Sequence, residues 1–143
     1  MADVVVGIDF ISSGSGFVYA FTDDKDEIII GSIYGGNIDF KVPTEIILDD
    51  NNNTRIFGSE CIKYLKEKGL EVGHYFKEIK KTLYEKKTGI KAKNSRKVLP
   101  LILVIQRILE KLKGFAIEEI KRKRPNIKNN NIKYVVQIPI FLD

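Results

Sequence analysis

Three apolar runs open the chain, at residues 4–10, 16–22 and 27–34. Ile11, Ser12, Ser13, Gly14 and Ser15 separate the first two, and Asp23-Asp24-Lys25-Asp26 separates the second and third. Short apolar runs bounded by polar and glycine-rich turns predict an antiparallel three-stranded meander. The apolar residues are consecutive rather than alternate, so both faces of this sheet are expected to be covered. Gly35-Gly36-Asn37 breaks the pattern. Residues 44–48, after Pro43, read as a strand, and 54–57 as a short strand pairing back across the polar turn 49–53.

Beyond residue 58 the spacing becomes helical. Ser59 is placed as the N-cap of a helix that runs to about Lys68 and stops at Gly69. Tyr75, Phe76, Ile79, Leu83 and Tyr84 predict a second helix over 75–84, and 85–95 reads as a basic loop. A wide stripe of Val98, Leu101, Ile102, Ile105, Ile108, Leu109, Leu112, Ala116 and Ile120 predicts a long helix over 96–124. Ser95 would cap it, Pro100 falls in its tolerated first turn, and Gly114 marks a point of bending or division. The basic cluster 121–124 suits the negative end of the helix, and Pro125 stops it. Residues 126–131 read as a loop, and 134–138 as a buried strand ended by Pro139.

Composition narrows the class. At 143 residues, with 43% apolar and 30% charged positions, the chain is a globular domain with room for a core. No run approaches the ~20 apolar residues of a membrane span, and the N-terminus lacks a basic, signal-type start. Cys61 and His74 are the single cysteine and the single histidine. That excludes an internal disulfide and a zinc constellation, suits a reducing, cytoplasmic setting, and leaves no Ser-His-Asp set evident. Cys61 reads as core packing and His74 as a surface or capping residue. The net charge of +5 is unevenly spread. Residues 1–60 carry 3 Lys/Arg against 11 Asp/Glu, and residues 61–133 carry 21 against 7. The basic half admits a nucleic-acid surface, although a solvated helix face is the commoner origin of such a lysine-rich stretch.

The candidate chemistry lies in the first turn. Asp9 ends a nearly continuous apolar strand, where an unpartnered carboxylate is costly. The turn after it offers hydroxyls and backbone N–H groups, a nest suited to phosphate oxygens. A hydrated divalent cation beside such phosphates would give Asp9 its partner. An ordinary hairpin whose aspartate bonds its own turn fits the same residues.

The order of parts resembles the start of the ATPase domain of the heat-shock protein 70 family, within the actin-like ATPase superfamily. Gly7-Ile8-Asp9-Phe10-Ile11-Ser12-Ser13-Gly14-Ser15-Gly16-Phe17 is similar to the family's first phosphate hairpin, nearest to that of its atypical A-twelve branch. Val42-Pro43-Thr44, Phe57-Gly58-Ser59-Glu60-Cys61, Tyr75-Phe76-Lys77-Glu78-Ile79-Lys80 and Val135-Val136-Gln137-Ile138-Pro139 resemble further family segments in family order.

The resemblance implies an α/β fold. It would be an actin-like ATPase (ribonuclease H-like) half-lobe whose mixed sheet begins with the antiparallel meander. Residues 1–35 and 132–143 would form subdomain IA, and 36–131 a smaller α/β insertion, subdomain IB. It implies ATP or ADP with Mg²⁺ as cofactors. Asp9 would reach the metal through water, and Ile11, Ser12, Ser13 and Gly14 would form the cofactor-binding turn, the two serines bonding the phosphates and Gly14 offering its amide. Lys80, with Lys77 as rival, would position the attacking water and act as the catalytic lysine alongside Asp9. Pro139 would relay nucleotide state.

Two departures qualify those roles. Ile11 stands where the family has a turn glycine, and a β-branched residue there is stiff. The family's second phosphate hairpin, adenosine contacts and client-binding domain are not in this sequence, so the chain alone is expected to be inactive in ATP hydrolysis. The whole protein would be a cytoplasmic, stress-response chaperone coupling ATP to client polypeptides and co-chaperones. Membrane association is not expected, and an apolar surface left bare would favour self-association. A nucleotide-free interaction module on the same fold and a basic nucleic-acid-binding domain are the alternative functions, nucleic acid being the less favoured partner.

Overall fold

A computed structural model describes residues 2–9, 14–24, 26–35, 37–39 and 41–137. The strands in chain order are β1 (Val4–Asp9), β2 (Gly14–Phe21), β3 (Ile29–Ile30), β4 (Ile33–Gly35), β5 (Asn37–Asp39), β6 (Val42–Pro43), β7 (Ile46–Leu48) and β8 (Thr54–Phe57). Helix α1 (Glu60–Lys68) precedes β9 (His74–Phe76), α2 (Ile79–Tyr84), β10 (Gly89–Lys91), β11 (Val98–Pro100), α3 (Leu101–Lys123) and β12 (Ile132–Gln137). Among the described residues, a first compact unit takes in those up to 42 and from 112 onward, and a second takes in 43–111.

The first unit is built on a mixed sheet ordered β12-β1-β2-β3, with β6 also pairing β2. β12 runs parallel to β1, while β1–β2 and β2–β3 are antiparallel. The register sorts side chains by face. Val4, Val6 and Ile8 stand opposite Phe21, Tyr19 and Phe17, and all six are buried. Leu112, Ala116 and Ile120, four residues apart along α3, are buried in the same unit. The ammonium groups of Lys113 and Lys123 lie 5.1 Å and 5.5 Å from the ring centroids of Tyr134 and Tyr19, which seats this part of α3 over that face. Buried Glu119 accepts the Ser32 N–H at 2.9 Å and so anchors the loop after β3.

Two expectations for this sheet are corrected. The run 27–34 is not one strand: only Ile29–Ile30 pairs with β2, and Ile33–Gly35 turns away to pair with Asn37–Asp39. The break is at Gly31, whose N–H bonds the Phe17 carbonyl at 2.9 Å while its missing side chain makes room for the Phe17 ring. Nor are both faces covered by the described residues. Val18, Ile30 and Val135, on the face opposite the aromatic one, are 40%, 58% and 52% exposed.

The second unit holds an antiparallel sheet, β8-β7-β9, and a separate β10–β11 pair. Ile47, Cys61, Val72 and Tyr75 form a buried cluster with Ile56, Tyr64 and Leu65 against it. The chain 54–57 pairs back on β7 as its pattern predicts, with a register shift between Ile47 and Leu48. Ser59 has helical dihedrals and makes no side-chain cap bond, so α1 starts without the predicted N-cap.

The predicted helix over 75–84 is shorter. Tyr75 and Phe76 pair with Ile47 and Ile46 as β9, and Glu78, at φ 61°, breaks the chain before α2 begins at Ile79. The loop 85–95 contains β10, which recruits Val98–Pro100 as β11, so α3 starts at Leu101 instead of Arg96. Ser95 is consequently not its cap, and Gly114 does not divide the helix, which is continuous from Leu101 to Lys123. The loop 126–131 contains one 3₁₀ turn, Asn129–Asn131.

Candidate functional site

The uncovered sheet face of the first unit carries the candidate site. Asp9 is the last residue of β1, opposite Gly16 on β2 and Gln137 on β12. Gly7, one pleat earlier, stands opposite Val18 and Val135. A Cβ on Gly7 would come within 3.3 Å of Val18 Cγ2, so glycine keeps the floor low there. Floor and apolar walls bound an open concavity of about 770 Å³ lined by Gly7, Asp9, Gly16, Val18, Ile30, Lys41, Val135 and Gln137.

Lys41 closes one end. Its Nζ lies 2.9 Å from Asp9 Oδ2, with the lysine side chain 54% exposed and the aspartate 33% exposed. Asp9 thus has an ion-pair partner supplied from 32 residues away. Sequence reading did not single out Lys41. Its one visible signal is isolation, since Lys25, Lys41 and Arg55 are the only Lys or Arg residues in the acidic first 60 positions.

Gly14 begins β2, and a Cβ there would meet the Val42 carbonyl oxygen at 3.1 Å and Lys41 Cβ at 3.4 Å. Ile11, Ser12 and Ser13, expected at the turn itself, lie outside the described residues, as does Pro139. Lys80, on α2, is exposed and belongs to the second unit. Lys77 is half-buried in that unit, its ammonium 6.0 Å from the Tyr75 ring centroid, an arrangement of cation–π type.

Chemically, the concavity pairs one acid and one ammonium beside backbone that glycine leaves approachable. Such a rim suits an anion with oxygens for Lys41, and the apolar walls suit a flat or apolar group beside it. Magnesium is commonly held by one or two carboxylates together with substrate phosphates, keeping several of its waters. Asp9 has the hard oxygen donors this requires. Its ammonium partner and the absence, among the described residues, of any cluster of three His, Cys, Asp or Glu fit magnesium as a companion of bound phosphates only.

The second unit contains an arrangement that its spacing in the sequence hides. His74 Nδ1 lies 2.7 Å from Ser95 Oγ, and His74 Nε2 lies 2.7 Å from Asp50 Oδ1. The sequence shows no Ser-His-Asp set because these residues are 21 and 24 positions apart. The trio joins the β7–β8 turn, the start of β9 and the β10–β11 loop. Asn94 adds to it, accepting the Tyr75 N–H at 2.8 Å and donating to the Gly73 carbonyl at 2.8 Å. The bond from His74 holds the Asp50 carboxyl below the usual carboxylate range. In the neighbouring core, the Tyr75 hydroxyl donates to the Glu45 carboxylate, and burial pushes that phenol upward.

No protein-family model matches the chain. A curated human protein, heat shock 70 kDa protein 12B, is 25% identical over 149 aligned residues, covering 95% of this chain and 22% of that protein. The match supports a distant relationship to the heat-shock protein 70 family. The chain spans about a fifth of the length of that relative.

Proposed function

We propose that the chain is the first part of a heat-shock protein 70-like, actin-like ATPase lobe of the A-twelve type, and that its sheet-face concavity meets the phosphates of ATP or ADP. The observation that carries this reading is Asp9, held with Lys41 at the rim of a glycine-floored concavity, directly before the phosphate-type turn. The mixed α/β fold and the distant chaperone relative support it. In this reading the sheet of residues 1–35 and 132–143 is subdomain IA, and 36–131 is subdomain IB.

Ile11, Ser12, Ser13 and Gly14 make up the cofactor-binding turn, in which Ser12, Ser13 and Gly14 bond phosphate oxygens. Asp9 faces the magnesium that accompanies the nucleotide, through its water. Lys80, or Lys77, positions the attacking water. Each group binds or orients; the transferred charge is stabilised by donors placed around the phosphates. Client polypeptide and co-chaperone binding, a cytoplasmic role in stress response, and self-association through the exposed apolar face belong to the same proposal.

The test is calorimetric titration of the full-length natural protein with ATP and ADP in magnesium buffer. Saturable heat that Asp9→Asn weakens supports nucleotide binding at this face. No heat at millimolar ATP leaves the fold as a nucleotide-free interaction module, a role that Ile11 in place of the turn glycine favours. In that case Ile11→Gly is the variant that restores binding.

A further inference from the structure

We propose that Ser95 is a nucleophile with His74 as its general base, so that the second unit hydrolyses small carboxylic esters through an acyl-serine. The inference stands apart from the nucleotide reading, since every residue it uses lies in the second unit.

The roles follow from the hydrogen bonds. The bond from His74 keeps the Asp50 carboxyl below the usual carboxylate range, so at neutral pH it is ionised and only accepts. His74 Nε2, 2.7 Å from Asp50 Oδ1, is therefore the nitrogen that carries the proton. In the neutral ring Nδ1 is then the acceptor, and the Ser95 hydroxyl, 2.7 Å away, donates to it. A hydroxyl whose proton already faces a base, with a third group orienting that base, is the arrangement of an activated serine. Asp50 is a positioning residue: it fixes the ring and its tautomer, and its charge favours the imidazolium.

Each member stands on a fixed segment. His74 begins β9 and pairs with buried Leu48 on β7. Asn94, next to the nucleophile, bonds the Tyr75 N–H and the Gly73 carbonyl, both at 2.8 Å, on either side of His74. Lys97 Nζ donates to the Asp50 carbonyl at 3.1 Å and ties the loop to the β7–β8 turn. The N–H groups of Ser95 and Arg96 donate to no group among the described residues, which leaves two adjacent donors for an oxyanion at Ser95. Residues 89–100 carry four basic side chains and no acid, and of these only Lys93 is paired with a carboxylate, Glu78.

In the first step Ser95 Oγ bonds to the ester carbonyl carbon as its proton passes to His74 Nδ1, and the carbonyl electron pair moves onto oxygen. That pair returns as the bond to the alcohol oxygen breaks, and the departing alkoxide takes the proton from Nδ1. Water then adds to the acyl-serine in the same way, releasing the carboxylic acid and the free serine. The Asp50 side chain is 93% exposed and that of His74 20%, so water screens the carboxylate. The expected acceleration falls at the low end of the ~10²–10⁴-fold that a positioned base supplies. The same openness suits small acyl groups arriving from solvent.

The test uses the full-length natural protein without nucleotide, with para-nitrophenyl acetate as substrate and diisopropyl fluorophosphate as label. The expected results are an acetyl group trapped on Ser95, found by peptide mass spectrometry, and fluorophosphate labelling of Ser95 in the native protein that is lost in urea. Ser95→Ala lowers the hydrolysis rate by about tenfold or more. Asp50→Asn lowers kcat and leaves KM unchanged, which a loosened fold would not do selectively. Because the trio also joins three segments, the labelling of the unmutated chain is the deciding measurement. A native Ser95 that takes up neither acetyl nor fluorophosphate, or hydrolysis that Ser95→Ala leaves unchanged, overturns the inference and reduces the trio to a structural clasp.

Discussion

A Cβ placed on Gly31 would lie 2.0 Å from Phe17 Cε2 and 2.3 Å from Phe17 Cζ. Phe17 is a core ring of β2, and Gly31 is where the third apolar run leaves the sheet. The glycine is required by space, since the ring occupies the volume any side chain would take. Gly31→Ala is expected to destabilise the fold by about 1–3 kcal/mol through overpacking. Thermal melting by circular dichroism checks it, and Phe17→Leu in the same chain should recover part of the loss.

Gly114 is the opposite case. It is exposed inside α3, and an added Cβ would meet nothing within 4 Å. Gly114→Ala is expected to stabilise by roughly 0.5–1 kcal/mol, because alanine lowers the entropy lost on forming the helix. A raised urea midpoint with an unchanged slope is the result that checks this.

Alkaline pH should weaken the fold through Cys61. Burial, and after it the charge of Glu45, pushes this thiol from 9.0 up to about 12. The folded chain therefore keeps a proton that the unfolded chain gives up. The contribution is complete below pH 9 and is lost as pH rises from there towards 12. The hydroxyls of Tyr19 and Tyr75, also pushed upward by burial first, add a slope of the same sign. Urea midpoints across that window measure the fall, and Cys61→Ala should reduce its steepness. Alkylation of native protein with iodoacetamide at pH 8 should be far slower than in urea, since the thiol is both buried and protonated.

His74 should act as a clasp for three segments. Removing it leaves the part-buried Ser95 hydroxyl without its bond to the ring, at an expected cost of about 1 kcal/mol, while the exposed Asp50 carboxylate returns to water. His74→Ala and Ser95→Ala should be non-additive, because they break one shared bond. The Asp50 contribution has a defined sign. Its carboxyl is held low by the His74 bond and then by the imidazole's charge, so its contribution is present above pH 3.8 and lost as pH falls through the lowered value. Acid unfolding followed with and without His74→Ala isolates it.

Parts of this architecture were plain in the residues. β1 and β2 follow from two unbroken apolar runs around a serine- and glycine-rich turn, and β8 follows from an apolar segment after a polar turn. Helix α1 follows from its period and from Gly69. Other segments misled. Tyr75 and Phe76 share a helical spacing with Ile79 and Leu83, yet they form β9, because pairing with Ile46 and Ile47 satisfies their backbone and buries both rings. Val98 fits the stripe of α3, yet it is 61% exposed on β11, drawn there by β10. The candidate site divides the same way. Asp9 was legible as an acid out of place on an apolar strand, whereas Lys41 and the Ser95-His74-Asp50 trio depend on contacts between distant positions.

The order of residues by itself determined the mixed α/β character, the first hairpin, the acid at its base and the acidic-to-basic split of the chain. These are local properties: apolar period, turn chemistry and charge act within a few residues. The folded arrangement alone decided that, among the described residues, one sheet face is left uncovered, that Lys41 pairs with Asp9, and that β9 is a strand. Those outcomes depend on hydrogen bonds and ion pairs between residues some 30 positions apart, such as the 32 between Asp9 and Lys41. No pattern in a short window carries that information, because it exists only once the chain has closed on itself.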